Sequence, residues 1–284
     1  EISLGLVGSE MCIRDRFSLI TVGYSANALG GAGGPLAVLI IAIVAAELGK
    51  AVSKETKVDI LVTPLVTIFA GVGLSMLIAA PIGAAASQVG TLIMWATEQA
   101  PLVMGILVSV IVGVALTLPI SSAAICAALG LTGLAGGAAV AGCCAQMVGF
   151  AVMSYKENGV GGLVSQGLGT SMLQMGNIIK NPRIWIAPTL ASAITGPLAT
   201  CLFHFEMNGA AVSSGMGTCG LVGQIGVYTG WINDIAAGTK AAITPMDWAA
   251  MVLLCFVLPA VLSVVFCAVE RKLGWIKEGD LKLN

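Results

Sequence analysis

Charge is what this sequence has least of. Only 10% of its 284 residues are Asp, Glu, Lys or Arg, while 57% are hydrophobic. Soluble domains carry roughly 25% charged residues, and a water-soluble fold of this length could not cover its surface with so few. Mean hydropathy is +0.99, so the lipid bilayer is the solvent the composition fits. The net charge of -1 argues against nucleic-acid binding, which needs clustered Lys and Arg. There is a single histidine, His204, and none of the eight cysteines stands in a CxxC pattern, so no metal site is expected. No Walker-type loop, nucleophile elbow or HExxH occurs. That argues against an ATP-driven pump or a hydrolase; no catalytic residue and no cofactor are expected.

What is present is a series of apolar runs. A spanning helix needs roughly 20 mainly apolar residues. The runs predict spans over 28–48, 60–80, 102–118, 134–153, 184–203 and 248–269. Between them, "PIGAAASQVGTLIMWATEQAP" reads as an interfacial or re-entrant helix between Pro81 and Pro101. "KENGVGGLVSQGLGTSMLQMGNIIKNPR" reads as an amphipathic interfacial segment, and "YTGWINDIAAGTKAAITPMD" as a loop or surface element. Residues 1–16 hold five charges and no membrane periodicity. They are expected to be non-native, with a membrane domain over 17–269 and a charged cytoplasmic tail over 270–284. Lys50, Lys54 and Lys57 share one loop, and Arg271, Lys272, Lys277 and Lys282 the tail. The positive-inside rule puts both in the cytoplasm, and leaves open the side of Lys156, Lys180 and Arg183.

Two stretches are too rich in glycine to be plain spans. "SSAAICAALGLTGLAG" starts at Ser121 and "SSGMGTCGLVGQIG" at Ser213. Each has a serine pair, then small residues, then a Gly-Leu-x-Gly unit: Gly130 to Gly133, and Gly220 to Gly223. Gly215 and Gly217 interrupt the second further. Paired broken helices at matching places are a transporter device, with substrate bound between them. Two independent glycine-rich packing interfaces would read the same way. The fold class expected is therefore all-α: a polytopic transmembrane helical bundle with two Gly-rich re-entrant or broken-helix hairpins and interfacial amphipathic helices.

The blocks "LPISSAAICAALGLTGLAGGAA", "KNPRIWIAPTL" and "GTCGLVG" resemble the membrane IIC component of the sugar phosphotransferase system, and more narrowly its PfoR-like, toxin-regulator branch. The resemblance covers roughly 28–269. It implies a multi-pass protein of the bacterial cytoplasmic membrane, a homodimer that binds a sugar or polyol near mid-membrane and moves it inward. A separate cytoplasmic IIB protein would phosphorylate the sugar, and membrane lipids would be the remaining partners. The glutamate-bearing hairpin motif usual in better-known members is absent here.

The candidate site lies in "FHFEMNGAAVSSGMGTCGLVG". Glu206 could accept hydrogen bonds from two sugar hydroxyls, or could sit at the water interface, where a charge costs little. His204 could orient a hydroxyl. In an extended segment positions 204 and 206 share a face; in a helix they do not. Asn208, Ser213, Ser214, Thr218, Ser121 and Ser122 offer neutral donors and acceptors, or serve helix packing. Two rival readings stand beside the permease: a membrane sensor or regulator without vectorial transport, and an ion- or proton-coupled transporter in which Glu206 titrates.

Overall fold

The computed structural model describes residues 34–52, 59–118 and 121–283. The expectations for residues 1–16, for the start of the first span, and for Lys54 and Lys57 fall outside them. Among the described residues there are helices and no strand, as the all-α reading expects.

The chain forms two compact units, Glu1–Val89 and Gly90–Asn284. In the first lie α1 (Gly34–Val52) and the start of α2 (Asp59–Gln99), where Ile41 packs on Leu74, Ile78 and Ile82. Helix α2 runs on past Pro81 with a 48° bend, so the element expected to be an interfacial or re-entrant helix follows the second span across a break. Its two pieces are Val62–Ile78 and Ala80–Gln99. Pro81 stands in the first turn of the second piece, where its missing N–H breaks no helical bond.

The second unit is built around α5 (Gly133–Met153). Packed against it are α3 (Pro101–Thr117), α8 (Pro182–Leu202) and α11 (Pro245–Lys272). Nearly all of α5 is buried, because its sequence, "GLAGGAAVAGCCAQMVGFAVM", is mostly Gly and Ala. A side chain at Gly142 would run into the Ser109 carbonyl of α3. Without a hydrophobic drive between helices in lipid, such close backbone contact supplies the packing energy. The outer helices turn apolar side chains away from the protein, for example Leu107 and Ile111 on α3 and Val261 and Val265 on α11.

At its centre α5 carries Gln146, fully buried. Its amide donates to Thr189 Oγ1 (3.2 Å), and its carbonyl accepts from Trp185 Nε1 (3.1 Å) and Thr117 Oγ1 (3.3 Å). These bonds clamp α3, α5 and α8 together. At the far end of α11, Glu270 is only 4% exposed, and neither carboxylate oxygen has a hydrogen-bond partner among the described residues. Burying an unpartnered polar group is unfavourable by about 1–3 kcal/mol. Glu270→Met, of similar volume, is therefore expected to raise the thermal midpoint of the purified protein. A lowered midpoint would show that the carboxylate is held by something else.

Between α5 and α8 the chain forms α6 (Tyr155–Val164), a π turn (Ser165–Gly169), a short 3-10 turn and α7 (Met175–Lys180). The segment is amphipathic as expected, but its polar side faces inward. Gln166, Ser171 and Gln174 are fully buried, while Val160, Val164, Leu168 and Ile179 are exposed. In a lipid-facing element the apolar side turns outward and polar groups must find partners inside. Here Gln166 donates to Ser154 Oγ (2.7 Å) and Gln174 to the Leu281 carbonyl (3.0 Å).

That last bond belongs to a strap. Residues 275–283, expected as a simple charged tail, lie along the 157–183 segment. Asn158 pairs with the Leu281 carbonyl and the Leu283 N–H, both at 2.8 Å. Glu157 accepts from the Leu281 N–H (2.9 Å) and from Arg271 (2.8 Å). Asn181 donates to the Trp275 carbonyl and to Asp280, both at 2.9 Å. The Arg183 guanidinium lies 5.6 Å from the Trp275 ring centre.

Candidate functional site

The two glycine-rich stretches meet. In the first, Ser121 caps α4 (Ser122–Leu129), which ends at Gly130 with a φ of 63°. In the second, Phe203 to Ala210 is not helical, α9 (Ala211–Ser214) is one turn, and α10 (Val222–Ala236) follows. Helix α10 corrects the sequence expectation of a loop from Tyr228: "YTGWINDIA" continues a helix that starts at Val222. Gly133 and Met207 exchange a pair of backbone hydrogen bonds, both 3.0 Å, and Ser122 donates to the Gly215 carbonyl at 2.6 Å.

This extended crossing sets the alternation at the site. Phe205 and Met207 are buried in the core with Trp231 and Leu254. His204 and Glu206 are exposed on the opposite side and Asn208 is half-buried, the arrangement that period-2 backbone produces. His204 has a φ of 43°, a left-handed backbone that costs a non-glycine residue about 1–2 kcal/mol.

His204, Glu206 and Asn208 line a cavity of about 510 Å³. Trp231 and Asp234 of α10, Thr239 and Lys240 of the following loop, and Met246 and Asp247 at the start of α11 complete it. The Asn208 amide donates to both Glu206 Oε2 (3.1 Å) and Asp234 Oδ2 (2.9 Å). Lys240 is held elsewhere, 2.8 Å from Asp247 and 5.2 Å from the Trp231 ring centre. Asp247 also closes a capping box with Thr244 at the start of α11. Sequence reasoning missed Trp231, Asp234, Lys240 and Asp247, having read their stretch as a loop or surface element. The signal was there in "TPMD": a capping threonine, Pro at the first helical position and Asp two residues later.

The remaining candidates lie outside this cavity. Ser122 bonds to Gly215 and Ser214 to the Ala211 carbonyl, while Thr218 lies 3.6 Å from Met147 Sδ. Ser213 is buried where Gly226 allows close approach. Gly217 packs on Cys143 and Cys144 and Gly223 on the Gly217 carbonyl, whereas nothing crowds Gly130 or Gly220; φ is positive at Gly130, Gly217 and Gly220. Among the described residues no cluster could hold a metal ion.

The cavity sits where α8 ends and α11 begins. The strap, with the cluster of Met153, Ile184, Cys267 and Leu281, lies at the opposite ends of α5, α8 and α11. Seven basic residues of this unit stand at the strap end: Lys156, Lys180, Arg183, Arg271, Lys272, Lys277 and Lys282. Lys240 alone stands at the cavity end. Trp185 and Trp275 mark the strap end, and Trp231 and Trp248, 5.6 Å apart, the cavity end. Tryptophan gathers at both membrane–water interfaces.

Spans wrapped on a glycine-rich central helix, with two interrupted stretches meeting beside a polar cavity, make a polytopic helical membrane protein. Over residues 8–283 the chain matches the family described as Phosphotransferase system, EIIC, and it belongs to that family. Family membership makes it a membrane transport component, with a sugar as substrate and a IIB protein as partner in general terms. No curated protein and no solved structure matches it.

Proposed function

We propose that the chain is the permease of a phosphotransferase system, taking a sugar or polyol into the Glu206 cavity from outside the cell. The sugar would pass between the two glycine-rich stretches to the strap side, where a IIB protein phosphorylates it. The membrane would be the bacterial cytoplasmic membrane and the assembly a homodimer.

The observation that carries this reading is the polarity of the bundle. Basic residues gather at the strap end, and the positive-inside rule makes that end cytoplasmic. The acidic cavity then opens outward, at the face from which a permease collects its substrate. Its chemistry suits a polyol: carboxylates accept hydroxyl hydrogen bonds, and Asn208 aligns the acids.

Two measurements test it. Sugars and polyols should bind the purified protein saturably, with Glu206→Gln weakening the best ligand by about 10–100-fold, since a hydrogen bond to a charged group contributes about 1.5–3 kcal/mol. Saturable binding with no uptake by proteoliposomes carrying the IIB partner would favour the sensor. A cysteine placed at Met246, which is exposed, should react with an impermeant thiol reagent added outside intact cells. Labelling only after lysis would reverse the orientation.

A further inference from the structure

The charge balance of the cavity narrows the substrate class. Glu206, Asp234 and Asp247 face it, and its basic side chains are Lys240 and the imidazole of His204. Lys240 is already matched to Asp247 at 2.8 Å and to the face of Trp231. Asp247 also accepts from the Thr244 N–H at 2.7 Å and from its hydroxyl at 2.9 Å. These two charges therefore form a closed pair.

Glu206 and Asp234 are different. Among the described residues neither is ion-paired to a lysine or an arginine. They share one neutral donor, the Asn208 amide, which uses Oε2 of one and Oδ2 of the other. In the open cavity water screens the two charges, so keeping them ionised costs little. A ligand that fills the cavity displaces that water. Two like charges on either side of a single amide are then unfavourable unless the ligand brings the opposite charge. Hydroxyl groups would satisfy the hydrogen bonds and leave the charge uncompensated. An ammonium has three donors and a positive charge, and so suits a cavity that two carboxylates face. A carboxylate-bearing ligand would add a third negative charge to the same place.

We propose that this cavity selects a sugar carrying a protonated amine, an amino sugar, over the neutral sugar of the same ring, and rejects the corresponding sugar acid. The inference rests on the cavity being the sugar site. It adds the sign of the ligand's charge.

The test uses matched probes. Glucose, galactose and mannose rings are each presented as 2-amino sugar, neutral sugar and uronic acid to the full-length purified protein at pH 7 and low salt. For whichever ring binds, the amino form should bind about 10-fold tighter than the neutral form, with the uronic acid weakest. Asp234→Asn should narrow that ratio, and added salt should narrow it in the wild type. A neutral sugar binding as tightly as its amino form, or a uronic acid binding comparably, overturns the inference and leaves the sugar site standing. No binding of any ring to folded protein overturns both.

A second measurement needs no sugar. The cysteine at Met246 is reacted with a trimethylammonium and with a sulfonate thiosulfonate reagent, and modification of that residue is followed by mass. The cationic reagent should react several-fold faster relative to a small free thiol, and Glu206→Gln should reduce the bias. Faster reaction with the anionic reagent would overturn the charge argument whatever the ligand.

Discussion

Gly137→Ala is expected to leave almost no correctly folded protein. One methyl group at this position on α5 would lie inside the Phe205 carbonyl, which crosses the helix there. Neither side can give way. Residue 137 is locked in the most buried helix of the bundle. Phe205 is held by its own N–H bond to the Ala199 carbonyl (2.8 Å) and by the Gly133–Met207 pairing two residues on. Overpacking ordinarily costs about 1–3 kcal/mol, but that range assumes a side chain that can shift. Here backbone meets backbone, so the cost should exceed about 4 kcal/mol, comparable to the whole stability of a marginal domain. Gly130→Ala is the matched comparison from the same glycine cluster. Its φ is 63°, with nothing within 4 Å of the added carbon. It should cost about 1 kcal/mol of backbone strain and leave a folded protein. Monodisperse Gly137→Ala with a wild-type melting midpoint would show that the crossing segment does not lie where it is described.

Glu157→Ala is expected to release the strap. Glu157 is bonded to Arg271 at 2.8 Å with side-chain exposures of 25% for Arg271 and 11% for Glu157. Its other oxygen accepts from the Leu281 N–H. Truncation removes both interactions and leaves a guanidinium and a backbone N–H short of partners. Breaking a fully buried pair costs about 3–5 kcal/mol; this one is partly exposed, so about 2–3 kcal/mol is expected. Glu157→Gln keeps an acceptor for Leu281 and loses the charge, so it should fall between. Limited proteolysis of residues 275–283 reads the release directly, and resistance equal to wild type in Glu157→Ala would sink it. Acid should act in the same direction. The Lys277 N–H and the Asn181 amide hold the Asp280 carboxyl below its ordinary value. A depressed folded pKa gives stability that is present above the unfolded value and lost as pH falls through the folded one. The strap should therefore become protease-sensitive on acidification below about pH 4, and Asp280→Asn should reduce that pH dependence.

Much of this was legible along the chain, for reasons that differ by element. Hydrocarbon thickness imposes a run length, so α3, α5, α8 and α11 could be read from composition within a few residues. The break at Gly130 could be read because a chain of that length cannot cross straight. A shared face for His204 and Glu206 was legible only as one of two alternatives, extended or helical, and the structure shows the extended one. The inverted polarity of residues 155–180 was not legible. Periodicity shows that a segment has two faces, but which face turns outward depends on whether its surroundings are lipid or water.

Local sequence thus determined that this is a helical membrane protein, where its spans run, and which short stretch holds its scarce polar groups, because each of those depends on neighbours a few residues apart. Only tertiary structure decided what those groups meet. Asp234 lies 26 residues from Asn208, and Lys240 and Asp247 lie farther along still. They reach the cavity because α10 and α11 pack behind the extended crossing. Of the serines that looked equally suited to a polyol, Ser122 holds the two glycine-rich stretches together, while Ser121 and Ser214 bond within their own turns. What separates the two sets is which of them the packed backbone left facing open space.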